Sequence, residues 1–113
     1  MHELSIVQSV LSLVEKHIPP DHKGMVTAVR LQIGELSGIE LEALKFAFDI
    51  ARKNGRTDEA ILEIDFVHGK AFCPDCKIKF SKPAHFTPCP QCGNYFTDLL
   101  AGREMKLLSF EME

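Results

Sequence analysis

Apolar residues between positions 3 and 18 recur at steps of three and four: Leu4, Val7, Leu11, Val14 and Ile18, with Val10 widening the stripe. That period is a helix with one buried face. Glu3 suits the positive end of its dipole, Lys16 and His17 the negative end, and Pro19-Pro20 stops it. Over residues 25–33 (MVTAVRLQI) the period changes to two, with Val29, Leu31 and Ile33 alternating against Arg30 and Gln32, which predicts a strand. Gly34 to Gly38 turn the chain. Ser37 then opens a second helix, with Glu40 completing a capping box. Leu41, Leu44, Ala47, Phe48 and Ala51 form its inner face, and Asn54-Gly55 closes it. A second strand covers 60–67, with Leu62, Ile64 and Phe66 on one face. A third covers 104–112, where Leu108, Phe110 and Met112 share a face.

Residues 69–102 interrupt this pattern with four Cys, four Pro and little regular period. They read as an insertion before the last strand. The expected fold is α+β: two helices on a three-stranded antiparallel sheet, with an inserted four-cysteine zinc-ribbon or knuckle domain. Residues 1–68 plus 103–113 make one domain and 69–102 the other.

Composition changes this picture little. Apolar residues at 45% and charged residues at 26% fit a globular protein of one ordinary domain with a small satellite. No apolar run is long enough to cross a bilayer. The opening MHELSIVQSV lacks a basic region and a cleavage site, so it is no secretory signal, and the expected location is the cytoplasm. A net charge of −3, and only four lysines against two aspartates over 70–100, argue against a phosphate-tracking surface. No nucleophile stands with a base and no Gly-rich phosphate loop exists, so no enzyme is expected.

Chemistry concentrates at two places. Cys73-Pro-Asp-Cys76 and Cys89-Pro-Gln-Cys92 form a C-x2-C-x12-C-x2-C pattern. Two residues between thiolates let one short turn aim both sulfurs at one tetrahedral ion, and two such turns complete it. In a reducing compartment a metal is favoured over disulfides. Four thiolates leave no open position, so zinc there is structural, with a rubredoxin-like iron site as the alternative. The second place is the terminus. The amine of Met1, the amide nitrogen of His2 and its imidazole could close fused five- and six-membered chelate rings, a planar donor set suited to Ni(II) or Cu(II). Glu3 could add an oxygen. On the residues alone, His2 can equally be an idle terminal side chain. His17, His22, His68 and His85 read as surface or flanking groups. Phe72, Phe80, Phe86, Tyr95 and Phe96 read as packing around the metal, or as base-stacking groups in a zinc-ribbon nucleic-acid or scaffold protein.

MHELSIVQS, the strand and turn VRLQIGELSGIE, the helix with LKFAFDIA and the two CPxC pairs occur together along the whole chain. In this combination the sequence resembles the HypA/HybF family of nickel metallochaperones for [NiFe]-hydrogenase maturation. The resemblance implies Met1, His2 and Glu3 as nickel ligands, Cys73, Cys76, Cys89 and Cys92 as zinc ligands, and Glu40 as an acid beside the nickel site. It further implies a HypB-type GTPase partner, delivery to the hydrogenase large subunit (urease in some relatives), no nucleic-acid or membrane partner, and room for a homodimer. One departure is the first knuckle, which reads Cys-Pro-Asp-Cys-Lys, without the glycine often found after it.

Overall fold

The computed structural model describes residues 3–53 and 55–113. The expectations placed on Met1, His2 and Asn54 lie outside the described residues. In chain order the elements are α1 (Glu3–His17), β1 (Val26–Gly34), α2 (Leu41–Ala51), β2 (Ile61–Val67), β3 (Lys70–Cys73), β4 (Ile78–Ser81), β5 (Asp98–Ala101) and β6 (Met105–Met112). The strands form two three-stranded sheets, ordered β2-β1-β6 and β4-β3-β5.

Two compact units result. The first comprises Met1–Leu31, Ile39–Ile64 and Leu107–Glu113, and the second Gln32–Gly38 and Asp65–Lys106. The second unit is thus wider than the cysteine segment 69–102, because backbone bonds draw 32–38 into it. The Glu35 amide donates to the Val67 carbonyl (2.8 Å) and the Leu36 amide to the Gly102 carbonyl (2.6 Å).

The first unit is built around α1 packed on α2. Val7, Val14, Val29 and Leu44 are fully shielded from solvent and Phe48 nearly so. The sequence stripe on α1 is narrower than its period implied, since Leu4 is 44% exposed. Leu31 and Ile33 are buried with Val29, as the alternation on β1 predicts. Phe66 and Leu108, read as inward-facing, are exposed. They sit on β2 and β6, the two edges of the sheet, where one flank has no neighbouring strand.

Hydrogen bonds fix the strand directions. Thr27 Oγ1 donates to the Glu111 carbonyl (3.2 Å) and the Gly34 amide to the Glu104 carbonyl (2.8 Å), so β6 runs against β1. Against β2, the Val26 amide reaches the Arg56 carbonyl (2.8 Å), Gln32 Nε2 reaches Asp65 Oδ2 (3.3 Å), and the Glu35 amide reaches Val67. Those partner numbers rise together, so β2 runs with β1. The α+β expectation holds with its two helices and three-stranded sheet, and the wholly antiparallel direction is corrected to a mixed one. The long connection through α2 returns the chain to the end of the sheet where β1 began, as a parallel pair requires.

The start of α2 also differs from the expected one. Ser37 lies in a turn, its amide on the Gly34 carbonyl (3.1 Å), and Gly38 follows at φ 81°. Glu40 is the cap, its carboxylate accepting from the Glu42 amide at 3.0 Å. A positive φ between Ser37 and Glu40 breaks helical geometry, so the helix cannot begin before it. Three short strands inside the cysteine segment were not legible as a period, being four residues each.

Phe48→Ala should cost about 3–5 kcal/mol of stability, as large-to-small changes in packed cores do. Phe46→Ala, on the 68%-exposed neighbour, should cost under about 0.5 kcal/mol. Urea unfolding of the two variants compares them directly.

Candidate metal centre

The second unit is assembled from β3 outward. β3 pairs antiparallel with β4, Cys73 opposite Ile78, so residues 74–77 form a four-residue turn carrying Cys76. β5 pairs antiparallel on the other side, with a register shift between Lys70 and Ala71. Ala71, Cys73, Phe80 and Cys89 make the buried core, with Cys76 and Ile78 packed against it.

Both cysteine turns close in the same way. In the first, the Cys76 amide points at Cys73 Sγ (3.4 Å) and the Lys77 amide donates to the Cys73 carbonyl (2.7 Å). In the second, the Gly93 amide donates to the Cys89 carbonyl (2.8 Å) and the Cys89 amide to the Asn94 carbonyl (2.9 Å). Each turn needs a left-handed residue after its second cysteine: Gly93 at φ 77° and Lys77 at φ 58°. Lysine supplies at a steric cost what glycine supplies freely. Asn94 joins the turns, its Nδ2 donating to Asp75 Oδ2 (2.9 Å) and its Oδ1 accepting from the Phe96 amide (2.9 Å).

The four Sγ atoms all lie within 4.8 Å of one another, and Cys73 and Cys92 are 3.7 Å apart. Metal–sulfur bonds of about 2.3 Å at tetrahedral angles put sulfurs about 3.8 Å apart. The donor set therefore fits one tetrahedral ion. Hydrogen bonding to Cys92, then burial, pushes the Cys76 thiol up to about 12. Burial alone would raise Cys89 as well, but donors from Cys92 and Gln91 outweigh it and lower that thiol to about 7. Cys89 is the first of the two to offer a thiolate.

Sequence reasoning missed Lys82. Counted there among the surface charges, it is 8% exposed, and its Nζ donates to the Thr87 carbonyl (2.9 Å), bracing the loop that delivers Cys89. Of the aromatics, Phe80 is buried as expected, whereas Phe86, Tyr95 and Phe96 are exposed.

At the other predicted site, Glu3 opens α1 and its carboxylate accepts from the Glu40 amide at 3.3 Å. The structure thus brings Glu3 and Glu40 together at the start of α2. His17 Nδ1 meets the Leu13 carbonyl one helical turn back (2.8 Å), and His22 Nε2 meets the Glu113 carbonyl (3.2 Å). His68 lies 3.8 Å from a Glu35 oxygen and edge-on to the Phe66 ring.

Fold and site together define a small α+β protein carrying a four-cysteine metal centre in its own three-stranded unit. The chain belongs to the HypA family: the family model for "Hydrogenase/urease nickel incorporation, metallochaperone, hypA" matches residues 1–112. A hydrogenase maturation factor HypA of Parabacteroides distasonis is 38% identical over 109 residues, covering 96% of this chain and 95% of the relative. That of Geotalea uraniireducens is 38% identical across the full length of both. Among solved structures, the Ni metallochaperone HypA from Helicobacter pylori matches with a TM-score of 0.65 and 32% identity, over 99% of this chain and 97% of that one.

Lys77→Gly should stabilise the metal-loaded unit by about 0.5–1 kcal/mol, and Gly93→Ala should destabilise it by about 1 kcal/mol or more, as read by resistance to a competing chelator. Metal uptake should also become more pH-dependent below about 7. Above that value Cys89 has already lost its proton; below it, binding must displace one more, so the slope of log affinity against pH should rise by about one. A zinc-competition titration from pH 6 to 8.5 measures it.

Proposed function

We propose that this protein binds Ni(II) at its N-terminus and helps to insert it into the large subunit of a [NiFe]-hydrogenase, with Zn(II) as the resident ion of the four-cysteine centre. The full-length family match carries the reading. It joins a Met-His-Glu opening to four clustered sulfurs in one chain. Zinc suits the centre because it prefers closed tetrahedral thiolate sites. Cys73, Cys76, Cys89 and Cys92 would hold it, and its role there is to hold the two turns together.

Nickel is cargo. With the Met1 amine free, that amine, the His2 amide nitrogen and the His2 imidazole form the chelate. Glu3 and Glu40 add two carboxylates at the start of α2, where negative charge is favoured by the helix dipole and also offsets that of a cation. Copper should outcompete nickel on such ligands by intrinsic affinity, so selectivity must come from partners or from cellular copper control. A HypB-type GTPase and the hydrogenase large subunit are the proposed partners, in the cytoplasm, with no catalytic step of the protein's own. A nucleic-acid-binding alternative draws on exposed Phe86, Tyr95 and Phe96. It is weakened because Lys82 spends its ammonium on Thr87 instead of a phosphate.

Nickel titration of untagged protein, an N-terminally extended form and His2→Ala tests the chelate, with zinc content checked in each. Extension converts the amine to a poorer amide donor, so both altered forms should lose most nickel affinity and keep their zinc. Protons compete with nickel for the same amine, amide and imidazole nitrogens, so nickel should leave as pH falls. Equal affinity in the extended form would show that the amine is not a ligand.

A further inference from the structure

β2 is an edge strand, paired with β1 on one side only. The Val67 carbonyl accepts from the Glu35 amide and so is turned toward the β1 side. The two-residue alternation of a strand then turns the amides and carbonyls of Leu62 and Ile64 the other way, to the open flank. Arg52 Nη1 donates to the Ala60 carbonyl (3.3 Å) as well as that of Asp58 (2.8 Å), so the free stretch of edge starts beyond Ala60. Beside it lies a cleft of about 340 Å³, between Lys45, Asp49 and Arg52 of α2 and the run from Glu59 to Leu62. Ile61 is 65% exposed, and Leu62 and Ile64 are half-buried with no strand beyond them.

Charge decides what can pair there. The cations of the cleft are engaged: Lys45 Nζ lies 3.5 Å from Glu42 Oε1, and Arg52 Nε 3.5 Å from Asp49 Oδ1. The anions are not. Glu59 and Glu63 are exposed, and among the described residues neither has an ion-pair partner. Glu63 stands on the face opposite the helices, lining a small cleft with Arg30 and Glu111. A second copy is a poor occupant. Antiparallel pairing about a two-fold at the middle of β2 sets Glu63 against Glu63, Glu63 against Asp65, or Asp65 against Asp65, according to register. Like charges directly opposite destabilise a pair, and opposite charges support it. We propose that the β2 edge is a docking strand for an extended segment of a partner protein in which basic and apolar residues alternate. Its backbone bonds to Leu62 and Ile64, its cations stand beside Glu63 and Glu59, and its apolar side chains cover Leu62, Ile64 and the cleft. The proposal is independent of the nickel reading.

The test titrates full-length, untagged protein with the labelled peptide acetyl-TKVKVKVKT-amide, read by fluorescence anisotropy and by amide NMR. Three further peptides serve as controls: the shuffled TKKKKVVVT, the acidic TEVEVEVET, and TKVKVKVKT methylated on the nitrogen of every lysine and valine. The alternating basic peptide should bind saturably, shift the Leu62 and Ile64 amides and slow their exchange with solvent. The shuffled, acidic and methylated peptides should bind markedly more weakly, the last because it has no N–H to give the edge. Glu63→Lys should weaken the basic peptide about threefold or more, because one cross-strand pair turns from attractive to repulsive. With Glu59→Lys added, the preference should pass to the acidic peptide. Should either variant fail to fold by circular dichroism, the methylated peptide on the wild-type protein decides. No binding of the basic peptide, equal binding of the shuffled or methylated one, or shifts that leave Leu62 and Ile64 untouched would overturn the proposal. So would a dimer of the wild-type protein that itself protects those two amides, since the edge would then belong to a second copy.

Discussion

Four sulfurs held within 4.8 Å of one another are the constraint on which the second unit depends. The buried apolar cluster around the sulfurs is four residues, two of them the cysteines Cys73 and Cys89. A cluster of that size does not offset the conformational entropy of ordering about fifty residues. A structural metal in such a centre contributes on the order of 10 kcal/mol, which is folding energy. Local costs are accepted accordingly. Lys77 takes a left-handed backbone, and Lys82 is buried with its ammonium on a carbonyl, because each brings a cysteine to the cluster. The first unit is held in the ordinary way, by Val7, Val14, Leu44 and Phe48 under two helices.

This division of labour suits the nickel site proposed at the terminus. A chelate built from the first two residues asks only that the chain end be presented. Glu3 on the start of α2 would supply that anchor, and Glu40 both caps the helix and meets Glu3. A four-thiolate centre would leave no open coordination position, so the proposed nickel and zinc sites differ in chemistry as well as in place along the chain.

Much of this was legible in the residues. Period 3.6 found α1 and the inner face of α2, and period two found β1, because those faces are buried and the pattern is the burial. The cysteine spacing located the metal centre for the same reason, since two-residue gaps encode the turn. What escaped was set by tertiary context. Strand direction is not written in alternation, so the parallel β1–β2 pair needed the bonds from Val26, Gln32 and Glu35 to show it. Ser37 looked like a cap, but Gly38 at φ 81° moved the start to Glu40. Strands of four residues are too short to show a period. Lys82 reads as a surface charge until the loop that buries it is known.

Hydrogen exchange before and after metal removal tests the account most directly. With the metal chelated, protection should vanish across β3, β4 and β5 and at the Glu35 and Leu36 amides, which belong to the sulfur-held unit. Amides of Leu44 and Phe48 should keep theirs, since their burial owes nothing to the cluster. Equal loss at Leu44 and Phe48 would contradict the account, as would retained protection at β3 with no metal bound.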